Sequence, residues 1–247
     1  MNTKAVTRLP AFLIAALALI VAGCANVAFD EYAAEQLADK PGSQILVIGD
    51  SVMRWHRDRR ASIGDAIGEG LGEWVVNLAV PGARISFPEP DAIDAGLDIA
   101  TQYRRRDWRW VVIVGGANDL AEECDCERCD SVMDQLISSD GATGEYPDLV
   151  QRIVADGSRV VVLGYYPPPA AGGDFAACEA ELDELSNRIE RLASRDADVI
   201  FVPMAAVIDP DVESAYDRDL VHPSVSSSRA IGLRIAAKIT SADLEDM

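Results

Sequence analysis

Ile45-Leu46-Val47-Ile48-Gly49-Asp50-Ser51-Val52 is the stretch on which the fold turns: four apolar residues, three of them β-branched, that stop at Gly-Asp-Ser. An apolar run of this length, with no polar residue to face water, reads as a strand buried on both faces, the condition of a strand in a parallel sheet. The polar and then amphipathic segment after it reads as a helix, so Ser51 falls where strand gives way to helix. In an open parallel sheet the carboxyl edge is where ligands bind, and a helix start offers unpaired N–H groups to developing negative charge. Ser51 is therefore a candidate nucleophile. Asp50 or Ser51 could equally serve as a helix cap, since both are preferred capping types.

Working outward, four more runs read as strands: Trp74 to Leu78, Trp110 to Val114, Val160 to Leu163 and Val199 to Val202. Helix-like stretches separate them, at Ala95 to Arg105, Tyr146 to Asp156 and Cys178 to Ala193, and a last apolar-periodic helix covers Ala230 to Ile239. Strands alternating with helices imply βαβ units with right-handed crossovers. The expected fold is α/β: a three-layer α/β/α sandwich around a flavodoxin-like central parallel sheet of about five strands. After Ser51, Ile63, Ile67 and Leu71 recur every four residues with Gly64, Gly68 and Gly72 beside them, a helix with a small-residue stripe for close packing. These glycines do not follow a strand and do not fit G-x-G-x-x-G, so no dinucleotide site is expected, and no cofactor.

Residues 1–23 read as an address. Lys4 and Arg8 precede an apolar run from Leu9 to Val21, short for a membrane span, that ends in Ala22 and Gly23 before Cys24. Val21-Ala22-Gly23-Cys24 resembles the lipobox of bacterial lipoproteins, in which the chain is cut before a cysteine that carries the lipid; Val stands where that motif usually begins with Leu. The resemblance implies a signal peptide over 1–23, a lipid on Cys24, a tether over 24–42 whose polar part is Asp30 to Gly42, and a folded domain over 43–247. An uncleaved anchor or ordinary signal cleavage nearby is the alternative. The expected location is a membrane surface outside the cytoplasm, on the periplasmic or outer face of the envelope. Ala25 in place of Asp would favour the outer membrane where there are two.

The formal charge of −19 argues against partners bound by bulk electrostatics, nucleic acid above all, because each phosphate contact wants a Lys or Arg. Of the two histidines, His56 lies among arginines five residues past Ser51 and reads as a surface or rim residue. The other, His222, follows Asp219 by three residues in Asp219-Leu220-Val221-His222-Pro223. Residues three apart on one turn of chain can face the same way, so Asp219 can take the Nδ1 proton and leave Nε2 free as a base. A helix-capping cluster is the other reading.

Together these signals resemble the SGNH (GDSL-type) hydrolase family. Its first block is matched by Gly49-Asp50-Ser51-Val52, its second by Gly82 in Asn77-Leu78-Ala79-Val80-Pro81-Gly82, its third by Gly116-Ala117-Asn118-Asp119 and its last by Asp219 and His222, all in family order. Val52 stands where Leu is usual. A G-x-S-x-G elbow is absent, which counts against an ordinary α/β-hydrolase. The resemblance implies a Ser51, His222, Asp219 triad and an oxyanion hole made of the Ser51 and Gly82 backbone N–H groups and the Asn118 side-chain amide. Asp50 and Asp119 are expected to tie loops together.

Four cysteines lie outside that pattern: Cys124, Cys126, Cys129 and Cys178. In an exported chain they read most simply as two disulfides of undecided pairing, at least one of which must reach Cys178. Four thiolates on zinc is the alternative, although C-x-C is tighter than the usual ligand pair. The expected activity is hydrolysis of a carboxylic ester, whether acylated glycan, lysophospholipid or small ester, with a catalytically silent surface binding protein as the competing reading. Asp130 to Tyr146 and Tyr165 to Asp174 are expected to wall the pocket.

Overall fold

The computed structural model of the protein describes residues 29–245. A helix over residues 29–39 (α1) leads into β1 (Ile45–Ile48), the one-turn helix α2 (Ser51–Arg54), α3 (Ile63–Leu71) and β2 (Val75–Asn77). Two short helices, α4 (Pro90–Asp94) and α5 (Ile99–Gln102), precede β3 (Trp110–Ile113), followed by α6 (Ala117–Cys124), α7 (Asp130–Leu136) and α8 (Glu145–Ala155). The chain closes with β4 (Arg159–Gly164), α9 (Glu179–Ala193), β5 (Val199–Pro203) and α10 (Val225–Glu245).

The five strands form one parallel sheet in the order β2-β1-β3-β4-β5. Every residue of β1 and β3 is buried, as their unbroken apolar runs require. This is the expected three-layer sandwich with flavodoxin-like strand order. Right-handed crossovers put α3 on one face and the later crossover helices on the other, and α10 returns to pack on α3. Small residues make that contact possible: a Cβ on Gly232 would lie 2.5 Å from the Ala66 Cβ, and one on Gly70 would lie 2.5 Å from the Ala236 Cβ. The winding reverses between β1 and β3, where Ile48 and Ile113 stand in register. Both strands therefore end level, and a crevice opens between the chains leaving them.

Three segments differ from expectation. The polar part of the tether, Asp30 to Gly42, is largely folded. Phe29 and Ala33 of α1 are buried, Tyr32 Oη donates to Asn77 O at 2.7 Å, and Lys40 Nζ donates to Val75 O at 2.8 Å. Those are alternate carbonyls of an edge strand, so α1 and the residues after it cover the open side of the sheet. The helix expected over Ala95 to Arg105 is split, because Gly96 takes a left-handed conformation (φ +71°) against the Phe29 ring and only Ile99–Gln102 is helical behind it. The long loop expected over Asp130 to Tyr146 contains α7, which buries Met133 and Leu136.

Candidate active site

Ser51 opens α2 directly after β1. Asp50, fully buried, caps that helix by accepting the Val52 N–H at 2.9 Å, which leaves the Ser51 N–H pointing out of the first turn. The capping reading thus holds for Asp50 and leaves Ser51 free. The other Asp50 oxygen accepts the Tyr165 hydroxyl at 2.5 Å, and Tyr165 Oη accepts the Ala117 N–H at 3.3 Å. One buried phenol thereby joins the loops leaving β1 and β3. Burial pushes the Asp50 carboxyl up to about 6 against the pull of these donors, and burial beside Asp50 keeps Tyr165 protonated far above its usual range. Gln102, buried, fixes the end of β1 by accepting the Gly49 N–H at 2.7 Å and donating to Gly49 O at 3.0 Å.

His222 arrives from the far end of the chain. Its Nε2 lies 2.8 Å from Ser51 Oγ and its Nδ1 lies 2.6 Å from Asp219 Oδ2. Asp219 Oδ1 also accepts the backbone N–H groups of Val221 and His222, each at 3.0 Å. Partial burial raises the Asp219 carboxyl, but these donors and the imidazole outweigh it and hold it below the usual carboxylate range. A carboxylate so fixed favours the proton on Nδ1, which leaves the Nε2 lone pair facing the serine hydroxyl.

The third wall comes from two loops. Val80-Pro81-Gly82-Ala83 is a turn closed by Ala83 N–H to Val80 O at 3.1 Å, and Gly82 occupies its third position at φ +77°, where Gly is favoured. The Asn118 amide donates to Ala83 O at 2.9 Å, so the side chain is held beside the Gly82 turn. Asp119, also pushed up to about 6 by burial, accepts the Ile85 and Ser86 N–H groups at 3.0 Å each and ties the same two loops. Both aspartates act as expected, as loop ties.

Beside Ser51, Asn118 and His222 lies a cavity of about 40 Å³ walled by Tyr165, Tyr166, Phe175 and Leu182. Of the two segments expected to wall it, only the one beginning at Tyr165 does; Asp130 to Tyr146 packs elsewhere. His56 takes no part in the Ser51 contacts and is more enclosed than expected: its side chain is 6% exposed, and Nε2 donates to Pro223 O at 3.0 Å. Its neighbour Trp55 stacks on the His222 ring. Nothing in the sequence marks Tyr165 or Gln102, which bear on the site through partners 48 to 115 positions away. Trp55 had one available signal, its place one turn after the serine.

Cys124 pairs with Cys129 and Cys126 with Cys178, at Cα separations of 5.4 and 4.9 Å. Cys24 lies outside the described residues.

The sequence profile of the GDSL-like Lipase/Acylhydrolase family matches residues 47–230. No curated protein matches the chain by sequence. Among solved structures, the chain is similar to a carbohydrate acetylesterase from Sinorhizobium meliloti (TM-score 0.60, 18% identity, 81% of this chain and 99% of that one). It is also similar to an aryl esterase from M. smegmatis (0.58, 15%, 81% and 100%) and to a catalytic mutant of an acetylxylan esterase from Geobacillus stearothermophilus (0.56, 18%, 80% and 94%). At these identities the likeness is one of fold.

Proposed function

The chain belongs to the GDSL-like lipase/acylhydrolase family and is an ester hydrolase, and from that premise we propose that it cleaves short-chain carboxylic esters with Ser51 as nucleophile. The single observation that carries this reading is the continuous chain Ser51 Oγ, His222 Nε2, His222 Nδ1, Asp219 Oδ2, with contacts of 2.8 and 2.6 Å. Ser51 Oγ attacks the acyl carbon as His222 Nε2 takes its proton, and Asp219 stabilises the imidazolium. The carbonyl oxygen becomes an oxyanion held by the N–H groups of Ser51 and Gly82 and by the Asn118 amide, one of whose protons is already engaged with Ala83. As the carbonyl re-forms, the bond to the leaving oxygen breaks and that oxygen takes the proton from His222. Water, deprotonated by the same imidazole, then attacks the acyl carbon, and the acyl–Oγ bond breaks as Ser51 Oγ takes the proton back from His222 and the acid leaves.

The small cavity supports the short acyl group. A volume of about 40 Å³ holds about three water-sized groups, enough for acetyl or propionyl beside Ser51. Acylated glycans and small esters fit that limit, and the sugar acetates named for two of the similar structures agree with it. The test is a series of p-nitrophenyl esters from acetate to octanoate, run with the parent and with Ser51→Ala. Acetate or propionate should lead, and Ser51→Ala should lose several powers of ten in turnover while still folding. An octanoate preference would overturn the acyl limit. A Ser51→Ala rate within about tenfold of the parent would overturn the nucleophile assignment.

We also propose, on the lipobox-like Val21-Ala22-Gly23-Cys24, that a lipid on Cys24 holds the protein on a membrane surface outside the cytoplasm. No described helix is long and apolar enough to cross a membrane.

A further inference from the structure

We infer that Trp55 is a positioning residue for the general base, an aromatic platform that fixes the His222 ring and favours its protonated form, with Asp217 as the anchor behind it. The inference rests on His222 being the base, as proposed above. The Trp55 and His222 rings lie 3.7 Å apart, centroid to centroid, and only 6° from parallel. The indole Nε1–H donates to Asp217 Oδ2 at 2.7 Å, and the Asp217 backbone N–H donates to His222 O at 2.7 Å. Trp55 is held to the nucleophile as well, since its backbone N–H donates to Ser51 O at 2.8 Å. The contacts therefore form a closed circuit from Ser51 to Trp55, to Asp217, to His222 and back to Ser51. Next in the chain, His56 grips Pro223 O from the other side of the same loop.

The circuit has a chemical consequence beyond packing. An aromatic face attracts a cation above it, and the transition states of both acylation and deacylation carry an imidazolium at His222. An indole whose N–H is given to a carboxylate is polarised toward a more negative face. Trp55 therefore interacts more strongly with His222 when the ring is charged than when it is neutral. The other titratable and charged groups near that ring are Asp219 on its own loop, Asp50 at the start of α2, the Tyr166 phenol, which donates to Val221 O, and Asp217 with His56 and Arg59 beside it.

Leucine is the informative replacement, because it keeps apolar bulk over His222 while removing the π face. In Trp55→Leu, kcat/KM for a short ester should fall about tenfold, carried by kcat with KM little changed. The acid limb of the kcat/KM profile should move to lower pH by about half a unit, because the imidazolium has lost a stabilising neighbour. Trp55→Phe should restore most of both effects, and Asp217→Asn, which keeps an acceptor and drops the charge, should move the limb the same way by less. NMR titration of the His222 ring in the same variants reads the shift without using turnover and applies even where a variant is nearly inactive. An unmoved titration in folded Trp55→Leu, or leucine and phenylalanine variants that behave alike, would overturn the inference. A parallel His222→Asn variant separates the two layers: full activity there would remove the triad itself and this inference with it. Loss there with an unmoved Trp55→Leu titration would remove only the platform.

Discussion

Two aspartates beside functional residues carry the same perturbation for related reasons. Asp50 and Asp119 are both buried, both pushed up to about 6, and both accept from a neighbouring loop, Asp119 with both oxygens and Asp50 with the one that does not cap α2. A carboxyl whose folded value lies above its unfolded one binds more protons folded than unfolded between about pH 4 and 6. Each group therefore costs stability as pH rises through that window. Asp119→Asn removes one such site, so the parent-minus-variant difference in thermal midpoint should fall as pH rises from about 4 to about 6 and level off above it. A difference that stays flat across the window would mean that Asp119 titrates in the ordinary carboxylate range. At this scale the meeting of Ser51, Asp219 and His222 was legible, because each sits in a short local motif. Trp55, Gln102 and Tyr165 were not, since an indole over an imidazole or a phenol between two loops is a fact of the fold. The enclosure of the His56 side chain was hidden for the same reason, as its neighbours in sequence are arginines and its neighbours in space are the Pro223 carbonyl and Asp217.

Elements were legible where burial alone decides them. The strands are apolar runs that could not face water, and α3, α8, α9 and α10 follow periodic patterns, whereas α4, α5 and α7 are too short for a period to show. The tether failed as a reading because its composition is polar on average, while two apolar residues and two side-chain donors suffice to bind α1 and Lys40 to an edge strand. The cysteines were legible as a pair of cross-links, with pairing left to three dimensions. The Cys126–Cys178 bond spans 52 positions and joins the end of α6, which begins with the Asn118 block, to the turn before α9 that carries Phe175. Reduction should therefore act on the cavity before it acts on the fold. With increasing reductant, kcat/KM for acetate esters should fall and the acyl-length preference should broaden before the thermal midpoint collapses. Displacements near 1 Å can cost about 100-fold in rate, and each disulfide contributes roughly 2 to 4 kcal/mol of stability. Activity that stays flat until melting would show that the bridges brace only the rim.

On the scale of the molecule, the sheet order explains why residues 51, 82, 118 and 222 meet. The winding reverses between β1 and β3, and the loops leaving β1, β2 and β3 converge on one edge, with His222 brought up just before α10. A chain with net charge −19 gains nothing there from electrostatic attraction to phosphate, and a neutral ester requires none. What remains is how the protein is kept near its substrate, and here the lipobox-like Val21-Ala22-Gly23-Cys24 makes a definite prediction. If Cys24 is the first residue of the mature chain, it lies five positions before Phe29, which is already packed on the fold. At no more than about 3.6 Å per residue, that spacer holds the domain close to the lipid surface, and each buried CH₂ of the acyl chains adds roughly 0.8 kcal/mol. Mass spectrometry of detergent-extracted protein should find a terminus at Cys24 bearing two or three acyl chains, and Cys24→Ala should leave the protein in the soluble fraction or uncleaved. If the anchor takes no part in the chemistry, residues 29–247 freed of it should hydrolyse a soluble short ester at the parent rate. An unacylated terminus at another residue would overturn the assignment of Cys24.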